Sequence, residues 1–176
     1  MMYSMEQRGF TLVETLVAIT VIAVAMVGPL YAVQQSLNAS RSARDQLIAS
    51  SLAQEGVEYV RGIRDSNYLY TLNTGNPRSW LYGIDGTVGS TNCVTANCVI
   101  DPTQNTVSRT IEPLYLSSTK LYNQQNNGNE TPFTRTIRVT AVPGTSTEIV
   151  LTVTVSWEQR GVARTVVITE RLHNWL

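Results

Sequence analysis

Apolar residues crowd the first part of the chain and then thin out. From Phe10 to Val33 the run "FTLVETLVAITVIAVAMVGPLYAV" is almost continuously apolar, and no charged residue stands between Thr15 and Ser40. As a helix these residues span roughly 36 Å, enough to cross a bilayer core. The interruptions are Thr11, Glu14, Thr15, Thr20 and the Gly28-Pro29 pair. Over 34–65 helix formers persist, but the pattern turns amphipathic. Ile48, Leu52, Tyr59 and Ile63 recur at helical spacing and predict one apolar stripe. Arg41, Arg44, Asp45, Gln54, Glu55 and Arg61 mostly take other faces. Gly56 lies on the stripe. A glycine there costs about 1 kcal/mol against alanine, which predicts close packing on a sheet. The helix is expected to end near Asp65-Ser66-Asn67.

Residues 66–134 lose this periodicity. "NTGNP", "GIDGTVGSTN" and "NQQNNGNETP" are turn compositions, and the Asn/Gln run from Asn123 to Asn129 reads as an exposed loop. Trp80-Leu81-Tyr82 and Leu114-Tyr115-Leu116 are short strands or packing anchors between loops. The pattern sharpens again over 135–176. "TRTIRVTAV", "TEIVLTVTVSW" and "ARTVVITERL" are β-rich, and in the second Ile149, Leu151, Val153, Val155 and Trp157 alternate with polar or smaller residues. Gly144 in "PGTS" and Gly161 in "EQRG" predict hairpin links. A three-stranded antiparallel meander follows, with one apolar face to cover. The outer part of the helix, through Leu52, Tyr59 and Ile63, supplies the cover. The predicted class is therefore α+β. The first half of the long N-terminal helix spans a membrane, and its second half packs on a C-terminal antiparallel sheet.

Composition narrows the chemistry. The chain has 176 residues and zero formal net charge, so nothing general points to nucleic acid. There are two cysteines and one histidine, too few for a structural zinc site. His173 near the chain end reads as surface or edge packing. No serine sits in a nucleophile elbow, and no phosphate-binding glycine loop occurs. Asp65, Asp85 and Asp101 are scattered, without a calcium-loop pattern. The reading is no enzyme, no metal and no cofactor. Cys93 and Cys98 enclose "VTAN", a spacing that suits a small disulfide-closed loop if this part is extracytoplasmic; in a reducing compartment they would be free thiols.

Glu14 remains to be explained, because an acidic residue costs about 2.5–3.5 kcal/mol at the centre of a membrane span and less near an end. A secretory signal would need a shorter apolar centre and a small-residue cleavage site. A plain anchor explains the length but not the carboxylate. "RGFTLVETLVAITVIAV" resembles the N-terminal signal of type IV pilins and type II secretion pseudopilins. In that family a short polar leader ends in Gly, Phe follows, and a Glu stands four residues after the Phe. Gly9, Phe10 and Glu14 fit those roles, with "MMYSMEQRG" as the leader.

The resemblance implies that a prepilin peptidase cuts between Gly9 and Phe10 and methylates the new Phe10 amine. It implies retention in membrane lipid before assembly, then assembly with other pilin subunits on an inner-membrane platform. Glu14 would pair with a Phe10 ammonium, of its own or the next subunit. At Gly28-Pro29 a kink is expected from proline alone, while the family implies a helix break that melts in filaments. The helix-on-sheet layout is also pilin-like. "VTVSWEQRG" and "LAQEGVEYVRGIRD" resemble, more loosely, minor pilins of the PilV kind and I-type minor pseudopilins. The C-terminal part would be extracytoplasmic, although Arg41 and Arg44 just after the span would suggest the opposite by the positive-inside rule. The expected function is a minor pilin. The alternatives are a minor pseudopilin of a type II secretion system and an adhesin or DNA-binding subunit at a pilus tip.

Overall fold

The computed structural model describes residues 9–87 and 91–174. Most of the expected leader, residues 1–8, lies outside them. The chain divides into two compact units, 1–44 and 45–176. One helix, α1 (Leu12–Thr74), supplies the described helical residues of both.

In the first unit every described residue from Gly9 to Leu37 is exposed. This is the one helix among the described residues that is long and apolar enough to cross a membrane. Two of its polar interruptions are satisfied internally. Thr15 Oγ1 donates to Leu12 O at 2.9 Å and Thr20 Oγ1 to Val17 O at 2.8 Å. Neither hydroxyl therefore enters an apolar environment unpaired. α1 continues through Gly28 and Pro29. Proline removes a single i to i−4 donor, here the one that would reach Ala25, and apolar helix formers continue on both sides.

The second unit is a helix on a sheet with two small accessory sheets. The main sheet contains β6 (Thr134–Ala141), β7 (Glu148–Gln159) and β8 (Val162–His173), in the order β6-β7-β8 and antiparallel throughout. Register runs from Thr134↔Ser156 to Ala141↔Ile149, and from Glu148↔His173 to Gln159↔Val162. The alternation predicted in β7 is observed: Ile149, Leu151, Val153, Val155 and Trp157 are buried, and the residues between them are half-buried. Arg160 and Gly161 both have positive φ, 55° and 74°. That is the geometry of a tight two-residue hairpin, and glycine adopts it at no steric cost.

The helix covers this sheet, but along a stripe displaced from the expected one. Ala49, Leu52, Ala53, Gly56, Val57, Val60, Arg64 and Asn67 are buried, while Ile48, Tyr59 and Ile63 pack at its margin. The centre of the stripe is built from small residues, which let backbone and sheet approach closely. The helix also runs past the expected end to Thr74. Asn67 does not cap it. Its Nδ2 donates to the carbonyls of Trp80 and Tyr82 at 3.2 and 3.0 Å. Termination falls at Gly75, which has φ 69° and donates its N–H to Thr71 O at 2.9 Å. Pro77 follows, so the "NTGNP" stretch is a helix stop and not only a loop.

Two short-stranded sheets occupy the region expected to be loops. β1 (Val99–Asp101) pairs with β2 (Thr106–Ser108), and β3 (Tyr115–Leu116) pairs with both β4 (Tyr122–Asn123) and β5 (Asn129–Glu130). The Asn/Gln run is thus not wholly exposed loop. It starts at buried Asn123 in β4, whose Oδ1 accepts from Gln125 N at 2.8 Å, and ends in β5.

Cys93 and Cys98 form a disulfide, and both are fully buried. Their loop lies along the outer edge of β6. Cys98 N donates to Ile137 O at 2.9 Å, Ile137 N to Cys98 O at 2.8 Å, and Val139 N to Cys93 O at 2.9 Å. This covers a strand edge that would otherwise present unpaired backbone groups.

Candidate functional site

The first residues of the described chain set up the candidate site. Gly9, Phe10 and Thr11 precede the helix, and Phe10 is 80% exposed. Thr11 caps α1. Its carbonyl accepts from Glu14 N at 3.1 Å and Thr15 N at 3.2 Å, and its Oγ1 accepts from Glu14 N at 3.3 Å. Thr11 and Glu14 have the spacing of a capping box, in which a threonine side chain bonds the backbone N–H three residues on. Sequence reading treated Thr11 only as a polar interruption. The Thr-x-x-Glu spacing ahead of an apolar run was the signal that identifies it.

The peptide bond between Gly9 and Phe10 therefore lies in non-helical chain just before a capped helix start. A non-helical, exposed segment suits a peptidase, because a helical bond would first have to unwind. Phe10 precedes the cap residue and would become the first residue after cleavage there.

Glu14 occupies the first turn of α1. Its carboxylate is exposed and makes no ion pair among the described residues. The helix dipole favours an anion in the first turn by some tenths of a kcal/mol. That modest term does not replace a counter-ion if the segment is moved out of water.

Of the other residues singled out in the sequence, Gly28 and Pro29 lie in the same helical segment of the first unit. Neither takes part in the capped start. Cys93 and Cys98 belong to the second unit, where they serve the edge of β6.

Residues 4–28 match the family described as the prokaryotic N-terminal methylation motif. No curated protein and no solved structure matches the chain. The matched segment contains Gly9, Phe10 and Glu14 together with most of the apolar run. It points to a structural, pilin-like protein and not to a known enzyme family. Such a motif implies processing by a prepilin peptidase and assembly with other pilin subunits. Together with the one helix among the described residues that is long and apolar enough to cross a membrane, it fits a membrane-anchored precursor. The motif supports a type IV pilin-like reading of the chain, and the apolar helix and the helix-on-sheet unit are consistent with it.

Proposed function

We propose that this chain is a minor pilin, the structural subunit of a type IV pilus-like filament. It is made as a prepilin held in the membrane by α1, with its second unit extracytoplasmic. A prepilin peptidase cuts after Gly9, and the new Phe10 amine is N-methylated. The subunit then leaves the lipid and packs its apolar segment among those of other subunits. The minor kind rests on the looser likeness of "VTVSWEQRG" and "LAQEGVEYVRGIRD". The extracytoplasmic placement is supported by the Cys93–Cys98 disulfide, since oxidised pairs persist outside the reducing cytosol.

The observation that carries the reading is the state of Glu14. Among the described residues its carboxylate has no ion-pair partner, and it stands in the first turn of α1, at the start of the apolar, exposed part of that helix. Cleavage at Gly9-Phe10 creates an ammonium four residues before it. Once both groups are buried among apolar helices, each requires the other, because an unpaired buried charge costs several kcal/mol. The pair adds little net stability. It penalises subunit registers in which the charges fail to meet.

Mass spectrometry of the mature N-terminus tests the proposal. In cells that have the peptidase, the protein is expected to begin at N-methylated Phe10. A chain that still begins at Met1 or Met2 in those cells overturns it.

A further inference from the structure

The second unit contains a cleft of about 690 Å³ between the outer part of α1, the loop after it and the β1–β2 hairpin. From its geometry we propose that this cleft binds an acidic glycan, with Arg78 receiving a carboxylate of the sugar. The proposal goes beyond the filament reading and does not depend on it.

Arg78 is held in an unusual way. Its guanidinium carbon lies 3.3 Å from the centroid of the Tyr70 ring and 4.4 Å from that of Tyr82. Its backbone N–H donates to Thr71 Oγ1 at 3.1 Å. Asn67 fixes the same loop through the carbonyls of Trp80 and Tyr82. The guanidinium thus lies over two tyrosine rings, while its N–H donors have no acceptor among the described residues. A planar cation positioned in this way is suited to a bidentate bond with a carboxylate.

The rest of the cleft fits a hydroxyl-rich ligand. Tyr59 donates to Asn105 Oδ1 at 3.1 Å, and Ser66, Thr91 and Thr106 add hydroxyls. The described lining contains no carboxylate, and Arg78 is its one cation. A single cation argues against nucleic acid, which is bound through several phosphate contacts. The volume lies in the usual range for small-molecule clefts.

Gly62 adds a separate observation. It lines the cleft from the helix, and a Cβ built there meets nothing within 4 Å. Packing within the chain does not explain a glycine at this position, where alanine would favour the helix by about 1 kcal/mol. Its effect is to keep the helix side of the cleft open.

The test uses the full chain in detergent micelles, titrated with trigalacturonic acid, sialyllactose, neutral maltotriose and a single-stranded oligodeoxynucleotide. At least one acidic saccharide is expected to bind saturably, about tenfold or more tighter than maltotriose. Arg78→Gln is expected to erase that preference, since one charge-assisted contact is worth about that factor. Gly62→Leu fills the cleft at an exposed helical site. It should abolish binding while leaving the unfolding midpoint no lower than the parent's, so lost binding is not lost folding. No saturable binding of either acidic saccharide overturns the proposal. So does binding that survives Gly62→Leu, or tighter binding of the oligonucleotide than of both acids.

Discussion

Gly56 of α1 lies directly against Val153 of β7: a Cβ built on the glycine falls 2.8 Å from Val153 Cγ1 and 3.5 Å from Arg135 Cδ. Val153 is β-branched, central in its sheet and fully buried, so it has little room to yield. Gly56→Ala gains up to about 1 kcal/mol of helix propensity but overpacks the contact at about 1–3 kcal/mol. The expected outcome is a net loss of about 1 kcal/mol in denaturant unfolding. Val153→Ala removes the clashing methyls. The double variant should therefore be less destabilised than the sum of the two singles. Strict additivity would mean that the close approach is not what limits the site.

Arg135 is a fully buried cation at an inward position of β6. Its Nη1 donates to Leu52 O at 3.1 Å and pairs with Glu55, and its Nη2 donates to Ile100 O at 3.1 Å. It thereby ties α1 and β1 to the main sheet. Arg135→Ala should cost about 3–5 kcal/mol, because it opens a cavity and strands the groups it served. Arg135→Met fills the volume without burying charge and should cost less than half as much. Glu55 is half-exposed but pairs with a fully buried cation, so Glu55→Gln, which keeps an acceptor but removes the charge, should cost between the about 1 kcal/mol of an exposed pair and the about 3–5 kcal/mol of a buried one. Chemical denaturation of the three variants checks the order, and a methionine variant as unstable as the alanine one would refute it.

The disulfide closes a short loop and holds it on the β6 edge. In the chain-entropy picture, a loop this short contributes about 2 kcal/mol. Replacing Cys93 and Cys98 together by alanine should lower stability by about that amount. Reduction by dithiothreitol should lower the parent's unfolding midpoint and leave the double variant's unchanged. A parent insensitive to reductant would show that the loop is held by its hydrogen bonds alone.

Much of this fold was legible in the sequence, for physical reasons. The alternation in β7 is regular because that strand has one buried face, and Gly56 was marked by its cost in a helix. Arg135 was missed, although it shares the inward parity of Ile137 and Val139. An arginine in a strand reads as solvated until the carbonyls of Leu52 and Ile100 are seen to converge on it, and that convergence is purely tertiary. Ala49 and Ala53 were missed because small residues carry little hydrophobic signal while permitting the closest approach. Strands of two residues, such as β4 and β5, are too short to show any period, whereas β3 falls in the Leu114-Tyr115-Leu116 piece that its apolar residues marked. At the candidate site, Gly9, Phe10 and Glu14 stood out through the resemblance to the pilin N-terminal signal. The capping role of Thr11 was legible too, but it was obscured by the membrane-like run around it.

Tyr59 gives a pH dependence. Burial raises its pKa above the usual 10.0, the Asp101 carboxylate raises it further, and Arg135 partly opposes both. A raised folded value means that the folded state holds the phenolic proton more tightly. The corresponding stability is fully present below about pH 10 and is lost as pH rises through the folded value. Tyr59→Phe removes this term along with the bond to Asn105. The parent should therefore lose its stability advantage over the variant as pH rises above about 10. In the difference between their tyrosinate absorbance titrations, the Tyr59 transition should fall later than that of a free tyrosine. A transition at or below the free value would contradict the burial argument.

Glu14 and Thr11 separate charge pairing from helix initiation. Both act at the start of α1, but only Glu14 carries a charge, while Thr11 bonds the Glu14 backbone. Glu14→Ala leaves the apolar run intact and should not reduce membrane insertion. If Glu14 neutralises a buried Phe10 ammonium, losing it strands that cation at a cost of about 3–5 kcal/mol, a factor on the order of a hundred or more in incorporation. Thr11→Ala costs about 1 kcal/mol of helix capping but keeps the carboxylate, so incorporation should stay within a few-fold of the parent. The measurement is the ratio of subunit in sheared filaments to subunit in the membrane fraction, by immunoblot of cells expressing each variant. Equal losses for both variants would assign the effect to helix start, and no loss for Glu14→Ala would end the charge-pairing account.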